Sequence, residues 1–299
     1  MQNIADTIRA VGALEVIEAM PNHEYHGTEH DSSSTLKLFA KSPKEYWHYR
    51  IKKDRESKKI GYSANIGTAV HAAVLEPSEF GSIVQVCSHG SASKAFREFA
   101  DKLQPHQVAI EEKDLERIEI MANSLWDHEE AGRLLQQQGA NELSLFWTEP
   151  VCGLPLKCRF DRVIDDGIIG TVLDIKCLAD PSPAGFRRAV RQFRYDLSAA
   201  LYCEGRNLAF GMPEDYLQGF YFLVVGNQWP HDTAVYRLGP KTMLEASVEM
   251  RAIVDEIAQL KGQPNFDKYP WPSETDRGVI EIEVLGYSGE ATEQQEIES

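Results

Sequence analysis

Paired cysteines are missing from this 299-residue chain. Its five, Cys87, Cys152, Cys158, Cys177 and Cys203, are odd in number, scattered and never in a C-x-x-C pair. A disulfide framework, a zinc ribbon and a clustered iron–sulfur set are thereby excluded, and reduced, mostly buried thiols are expected. There is no run of about 18 apolar residues that could span a bilayer. The opening "MQNIADTIRAVG" lacks the basic region and apolar core of a signal peptide, so a cytoplasmic protein with no membrane association is expected. No internal repeat or clean linker breaks the chain. What remains, 42% hydrophobic and 26% charged residues, is ordinary for a soluble globular protein with a sizeable core.

Positive charge is in short supply as well. The formal net charge of −15 by itself argues against loose binding to phosphate backbones. The charge is unevenly spread, however: Lys41 to Lys59 holds eight Lys or Arg against three acids, whereas Glu274 to Glu298 holds eight acids against Arg277. The last stretch, "SGEATEQQEIES", has almost no apolar content and reads as a disordered end. We therefore expect a single domain over residues 1–285 and an acidic tail over 286–299.

"DSSSTLKLFAKSPKEYWHYRI" predicts two short helices joined sharply at Ser42-Pro43, with serines suited to the first cap. "IGTAVHAAVLEPSEF" predicts a closely packed helix ended by Pro77 and carrying His71. Residues 111–138 read as strongly helical, with Leu115, Ile118, Met121, Ala122 and Leu125 on one face. "ELSLFWTEP", "LPLKCRFDRVID" and "GIIGTVLDIKCL", separated by turn signals, then read as a three-stranded antiparallel meander, with Asp166-Gly167 in the second turn. Long helices, a buried strand in "YLQGFYFLVVG" and a final amphipathic helix follow. This order predicts an α/β fold in which helices flank one central mixed β-sheet.

The strand "TVLDIKCL" carries Asp174 and Lys176, which share a face because residues i and i+2 of a strand do. The spacing alone says little, since Glu56-Ser-Lys58 and Glu111-Glu-Lys113 repeat it. Only Asp174-Ile175-Lys176, however, lies in an apolar run, where an unpaired charge costs several kcal/mol. If the turn closes a hairpin, Asp161 on the neighbouring strand can meet Asp174. Facing carboxylates repel unless a divalent cation lies between them, and magnesium suits a site of carboxylates, waters and phosphate oxygens. Lys176 would then stand near an attacking water or the charge developing on phosphorus. The competing reading has Asp161 paired with Arg159 or Arg162, and Asp174 with Lys176, as structural ion pairs.

"RFDRVIDDGIIGTVLDIKCLAD" resembles the core of the PD-(D/E)xK nuclease superfamily, which has a restriction-endonuclease-like fold. "SSSTLKLFAKSPKEYWHYR" and "GTAVHAAVLEP" resemble two motifs of its RecB-like branch, with Ser42 where Cys is usual. From about residue 25 to residue 265 the order and spacing are most similar to the exodeoxyribonuclease VIII (RecE-type) family of phage recombination nucleases. The resemblance assigns His71, Asp161, Asp174 and the Ile175 backbone carbonyl to a metal, magnesium or manganese in its place, and Lys176 to catalysis. Glu142 matches an acidic position before the meander and would approach the metal through water or position Lys176. In the helix "YDLSAALY", Ser198 stands where the branch has Gln, while Tyr202 is retained; both would lie near the active site or DNA. Before it, Arg187, Arg188, Arg191 and Arg194 form a basic stripe, which is either a solvated face or a track for the DNA backbone.

The activity implied is exonucleolytic hydrolysis of linear double-stranded DNA, 5′ to 3′, leaving 3′ single strands for a single-strand annealing recombinase. A homo-oligomeric ring enclosing DNA is implied with it. Two alternatives stand beside this: a non-catalytic DNA-end-binding scaffold that kept the fold, and an endonuclease. The histidines at 23, 26 and 30 do not fit a helical pair facing one ion, and Gly27 predicts a loop there.

Overall fold

A computed structural model describes residues 14–18, 20–54, 61–165 and 169–261. In chain order these form β1 (Glu15–Ile17), α1 (Asn22–Gly27), α2 (Ser33–Lys41) and α3 (Pro43–Tyr46), which runs on into a π-helical turn, Trp47–Lys52. Next come α4 (Tyr62–Leu75), α5 (Phe80–Ile83), β2 (Val84–Cys87), α6 (Lys94–Ala100), β3 (Val108–Glu111), α7 (Asp114–Asp127) and α8 (Glu129–Leu135). Then follow β4 (Gly139–Thr148), β5 (Pro155–Ile164), β6 (Thr171–Leu178), α9 (Pro183–Phe193), α10 (Tyr195–Phe210), β7 (Phe220–Gly226), β8 (Thr233–Tyr236) and α11 (Pro240–Lys261).

The central sheet has the order β1-β4-β5-β6-β7-β8. β4, β5 and β6 form the expected antiparallel meander. The α9–α10 crossover lets β7 run parallel to β6, so the sheet is mixed. β2 and β3 form a separate parallel pair. One face of the sheet is covered by α2, α9, α10 and α11, through residues such as Leu36, Phe186, Leu201 and Val254. The other is covered by α4, α7 and α8, through Val70, Met121 and Leu134. No helix among the described residues is long and apolar enough to cross a membrane.

The joint at Ser42-Pro43 forms as its chemistry dictates: Ser42 Oγ accepts from the Glu45 N–H at 3.2 Å, and Pro43 occupies the first helical position. The stretch 111–138 differs from expectation. Glu111 belongs to β3, and the helix breaks at His128, whose extended backbone and Nδ1 acceptor for the Ala131 N–H start α8 afresh. The segment read as a loop around Gly27 is the short helix α1, with Gly27 its last residue. A glycine at a helix end carries little of the cost it has in the interior. The Asp166-Gly167 turn and the 286–299 tail lie outside the described residues.

Candidate active site

Register brings the acids together. Asn141 pairs with Arg162 and Leu143 with Phe160, so Glu142 and Asp161 stand opposite one another. Arg162 pairs with Leu173, so one step further Asp161 faces Asp174. Three carboxylates thus share one level across three adjacent strands. The ladders skip this level, and the Asp161 carboxylate accepts the Ile175 N–H at 2.7 Å through Oδ2.

Two strands of this row, β4 and β5, turn over where the carboxylates sit. Ala140 and Leu143 meet the same core cluster, as do Phe160 and Val163, although residues three apart on a regular strand point to opposite faces. On β4 the reversal coincides with Glu142, whose φ of +50° is left-handed. Such a conformation costs about 1–3 kcal/mol in a non-glycine residue and collects at functional sites.

The helix α4 delivers His71 from the opposite layer. Its Nε2 lies 2.9 Å from the Ile175 carbonyl, which only accepts, so Nε2 carries a proton and Nδ1 offers the lone pair. His71 Nδ1 is 3.5 Å from Asp161 Oδ2. Ligand atoms of His71, Glu142 and Asp161 all lie within 4.8 Å of one another. Two oxygens on one magnesium are at most about 4.2 Å apart, so small side-chain movements would bring all three onto one ion. The donor set fits a divalent cation, and the His71–Ile175 bond is the outer contact that fixes a ligating imidazole.

The electrostatics agree with that fit. Burial, and next the Asp161 charge, push Glu142 up to about 8, with Arg159 pulling the other way. Arg159 Nη1 approaches Glu142 Oε2 at 3.8 Å, while its guanidinium also holds Ser144 Oγ and the Met20 carbonyl. Asp174 is almost fully buried, and burial raises it, opposed by Lys176. Lys176 Nζ meets Asp174 Oδ2 as a close ion pair. For Lys176 burial works downward, but the Asp174 and Asp161 charges outweigh it and keep the ammonium protonated. Its Nζ also lies 3.3 Å from the Ile175 carbonyl.

Half of the structural ion-pair reading is therefore present, as Asp174–Lys176. Asp161 pairs with neither arginine: Arg159 turns to Glu142, and Arg162 binds Asn141 and the Gln137 carbonyl. Among the described residues the three-donor cluster contains Glu142 and not Asp174.

The remaining candidates are spread more widely. Arg187, Arg188 and Arg191 are exposed on α9, Arg188 pairing with Asp180 at 2.5 Å. Arg194 does not continue their stripe: it is the left-handed residue between α9 and α10, and its guanidinium is held by Asp196 and Glu249. Ser198 is buried, and the partly buried Tyr202 ring lies between Phe160 and Phe220. Two side chains that the sequence reading passed over, Lys37 and Tyr195, flank Lys176. The Nζ atoms of Lys37 and Lys176 lie 5.7 Å and 5.3 Å from the Tyr195 ring centre. No local pattern marks Lys37, because its neighbours come from β6 and α10.

Residues 32–271 match the family described as a PDDEXK-like domain of unknown function (DUF3799). The chain belongs to this family. Its fold is also that of a solved protein, a candidate exonuclease from Eubacterium rectale, with a TM-score of 0.54 over 81% of this chain and 86% of that one at 15% identity. A comparison with curated proteins finds no match. Family and fold together make this a nuclease-like α/β domain, with a mixed central sheet flanked by helices.

Proposed function

We propose that this protein is a divalent-cation-dependent exodeoxyribonuclease. In this reading it degrades linear double-stranded DNA 5′ to 3′ in the cytoplasm and leaves 3′ single strands for a single-strand annealing recombinase. The observation that carries it is the convergence of His71, Glu142 and Asp161, from one helix and two strands, beside the Asp174–Lys176 pair.

These three residues would hold the cation, magnesium or manganese, which when bound supplies a Lewis acid for a phosphoryl oxygen and acidifies a water. His71 donates Nε2–H to the Ile175 carbonyl and so keeps Nδ1 turned to the carboxylates. Asp174 and the Ile175 carbonyl, the further ligands implied by the resemblance, belong to the adjacent strand. Asp174 joins them only by loosening its hold on Lys176. The Lys176 ammonium orients the attacking water and meets the charge that grows on the phosphoryl oxygens. The water oxygen bonds to phosphorus while the bond to the leaving oxygen breaks, and that oxygen takes up a proton; no redox partner is needed.

Arg187, Arg188 and Arg191 would follow the DNA backbone along α9. A homo-oligomeric ring with an acidic exterior and basic interior would reconcile the net charge with that role. The replacement of the branch's Gln by Ser198 favours one second reading, a DNA-end-binding scaffold. Degradation of linear duplex labelled at either end, with magnesium or EDTA, separates the readings. Magnesium-dependent loss of 5′ label, absent in Lys176→Ala and absent on closed circles, is expected. End binding without cleavage would point to the scaffold, and cleaved circles to an endonuclease.

A further inference from the structure

Lys37 lies on the second turn of α2, whose start is fixed by a reciprocal cap: the Ser32 N–H donates to Thr35 Oγ1 at 2.8 Å. Its neighbours Leu36 and Phe39 are buried in the core, so the position of the helix is set on both sides of the lysine. Lys37 is half-buried and extends toward the Tyr195 ring, on which Lys176 also rests. The two ammonium groups therefore share one aromatic shelf.

They differ in their partners. Lys176 is neutralised by contact with Asp174. Among the described residues Lys37 Nζ has neither an ion pair nor a hydrogen bond; Asp174 and Asp196 are close enough to favour its charge but come no nearer. Burial, followed by the Lys176 charge, pushes Lys37 down to about 8. A partly buried cation without an anion is costly unless something brings the anion. Beside a phosphodiester site, the strand being cut does.

We propose that Lys37 is a substrate-contacting residue of this site, its ammonium taking a phosphate oxygen of the bound DNA strand alongside Lys176, with the Tyr195 ring as the shelf for both. The assignment rests on the nuclease reading and adds a residue to it. It predicts a division of labour: the paired Lys176 acts in the chemical step, and the unpaired Lys37 holds substrate.

The test is the salt dependence of binding to a short fluorescent linear duplex, in calcium, with intact DNA verified on a gel. Wild type is compared with Lys37→Met, Lys37→Gln and Lys37→Arg, and with Lys94→Met as a surface control. Loss of one phosphate contact lowers the slope of log affinity against log salt by about 0.7 to 0.9. That decrease is expected in the Met and Gln variants, with the slope restored in Arg and unchanged in the control. Both neutral variants are expected to melt no lower than wild type, because an unpaired buried charge has been removed, so a folding defect would not explain weaker binding. If wild type binds DNA and the neutral variants keep its slope, the Lys37 assignment is wrong while the nuclease reading stands. If wild type binds no DNA, both fall.

Discussion

Glu142 has the most unusual environment of any residue at the site: a left-handed backbone and a carboxyl that keeps its proton up to about pH 8, against 4.5 for an ordinary glutamate. A carboxyl raised in the folded state contributes stability that is full below its unfolded value and is lost as pH rises through the folded one. A cation needs the ionised form, so it competes with that proton. The rise in melting temperature given by Mn2+ should therefore be larger at about pH 8.5 than at about pH 6, and Glu142→Gln should flatten the difference. For Lys176→Ala, a loss of about 10²- to 10⁴-fold in cleavage rate is expected, with Mn2+ binding retained, measured by single-turnover kinetics and calorimetry. Asp174, Lys176, Asp161 and His71 were legible because each sits in a short sequence pattern. Lys37 was not, since only the packing of α2 against α10 brings it to Lys176. The part played by Glu142 was half legible: its acidity was visible, but not the strand reversal that turns it toward Asp161.

The elements behind the site are held by close approach. A Cβ at Gly205 on α10 would come within 2.9 Å of Cys158 Sγ and 3.2 Å of the Trp147 ring, all in the layer that supports the carboxylate row. Gly205→Val should lower stability by about 1–3 kcal/mol in urea unfolding, because a filled core has no room for the added methyl groups. The meander could be read from turn signals and alternating apolar runs, and the crossover from two long helical patterns. The break at His128 could not, because a histidine cap has no strong sequence signature. Nor could the short strands β1, β2, β3 and β8, which have only three or four residues each and owe their pairing to partners distant in sequence.

Across the whole molecule, Asp31 ties both ends of the described fold together. Fully buried, it accepts from Tyr46 Oη at 2.9 Å, Arg50 Nε at 3.2 Å and Lys261 Nζ at 2.8 Å, joining α3, the π-helical turn and the end of α11. Asp31→Ala leaves these donors without their acceptor and should cost about 3–5 kcal/mol by denaturant titration. Little of this was visible in the sequence, where Asp31 and Lys261 stand 230 residues apart. In the proposed function, the sheet and its flanking layers would hold one imidazole and two carboxylates around a cation next to a fixed lysine. Calorimetric titration of Mn2+ into wild type, His71→Ala, Glu142→Gln and Asp161→Asn tests that most directly. A saturable site in wild type, with affinity at least about tenfold lower in each variant, is expected. Wild-type affinity in all three variants would contradict it.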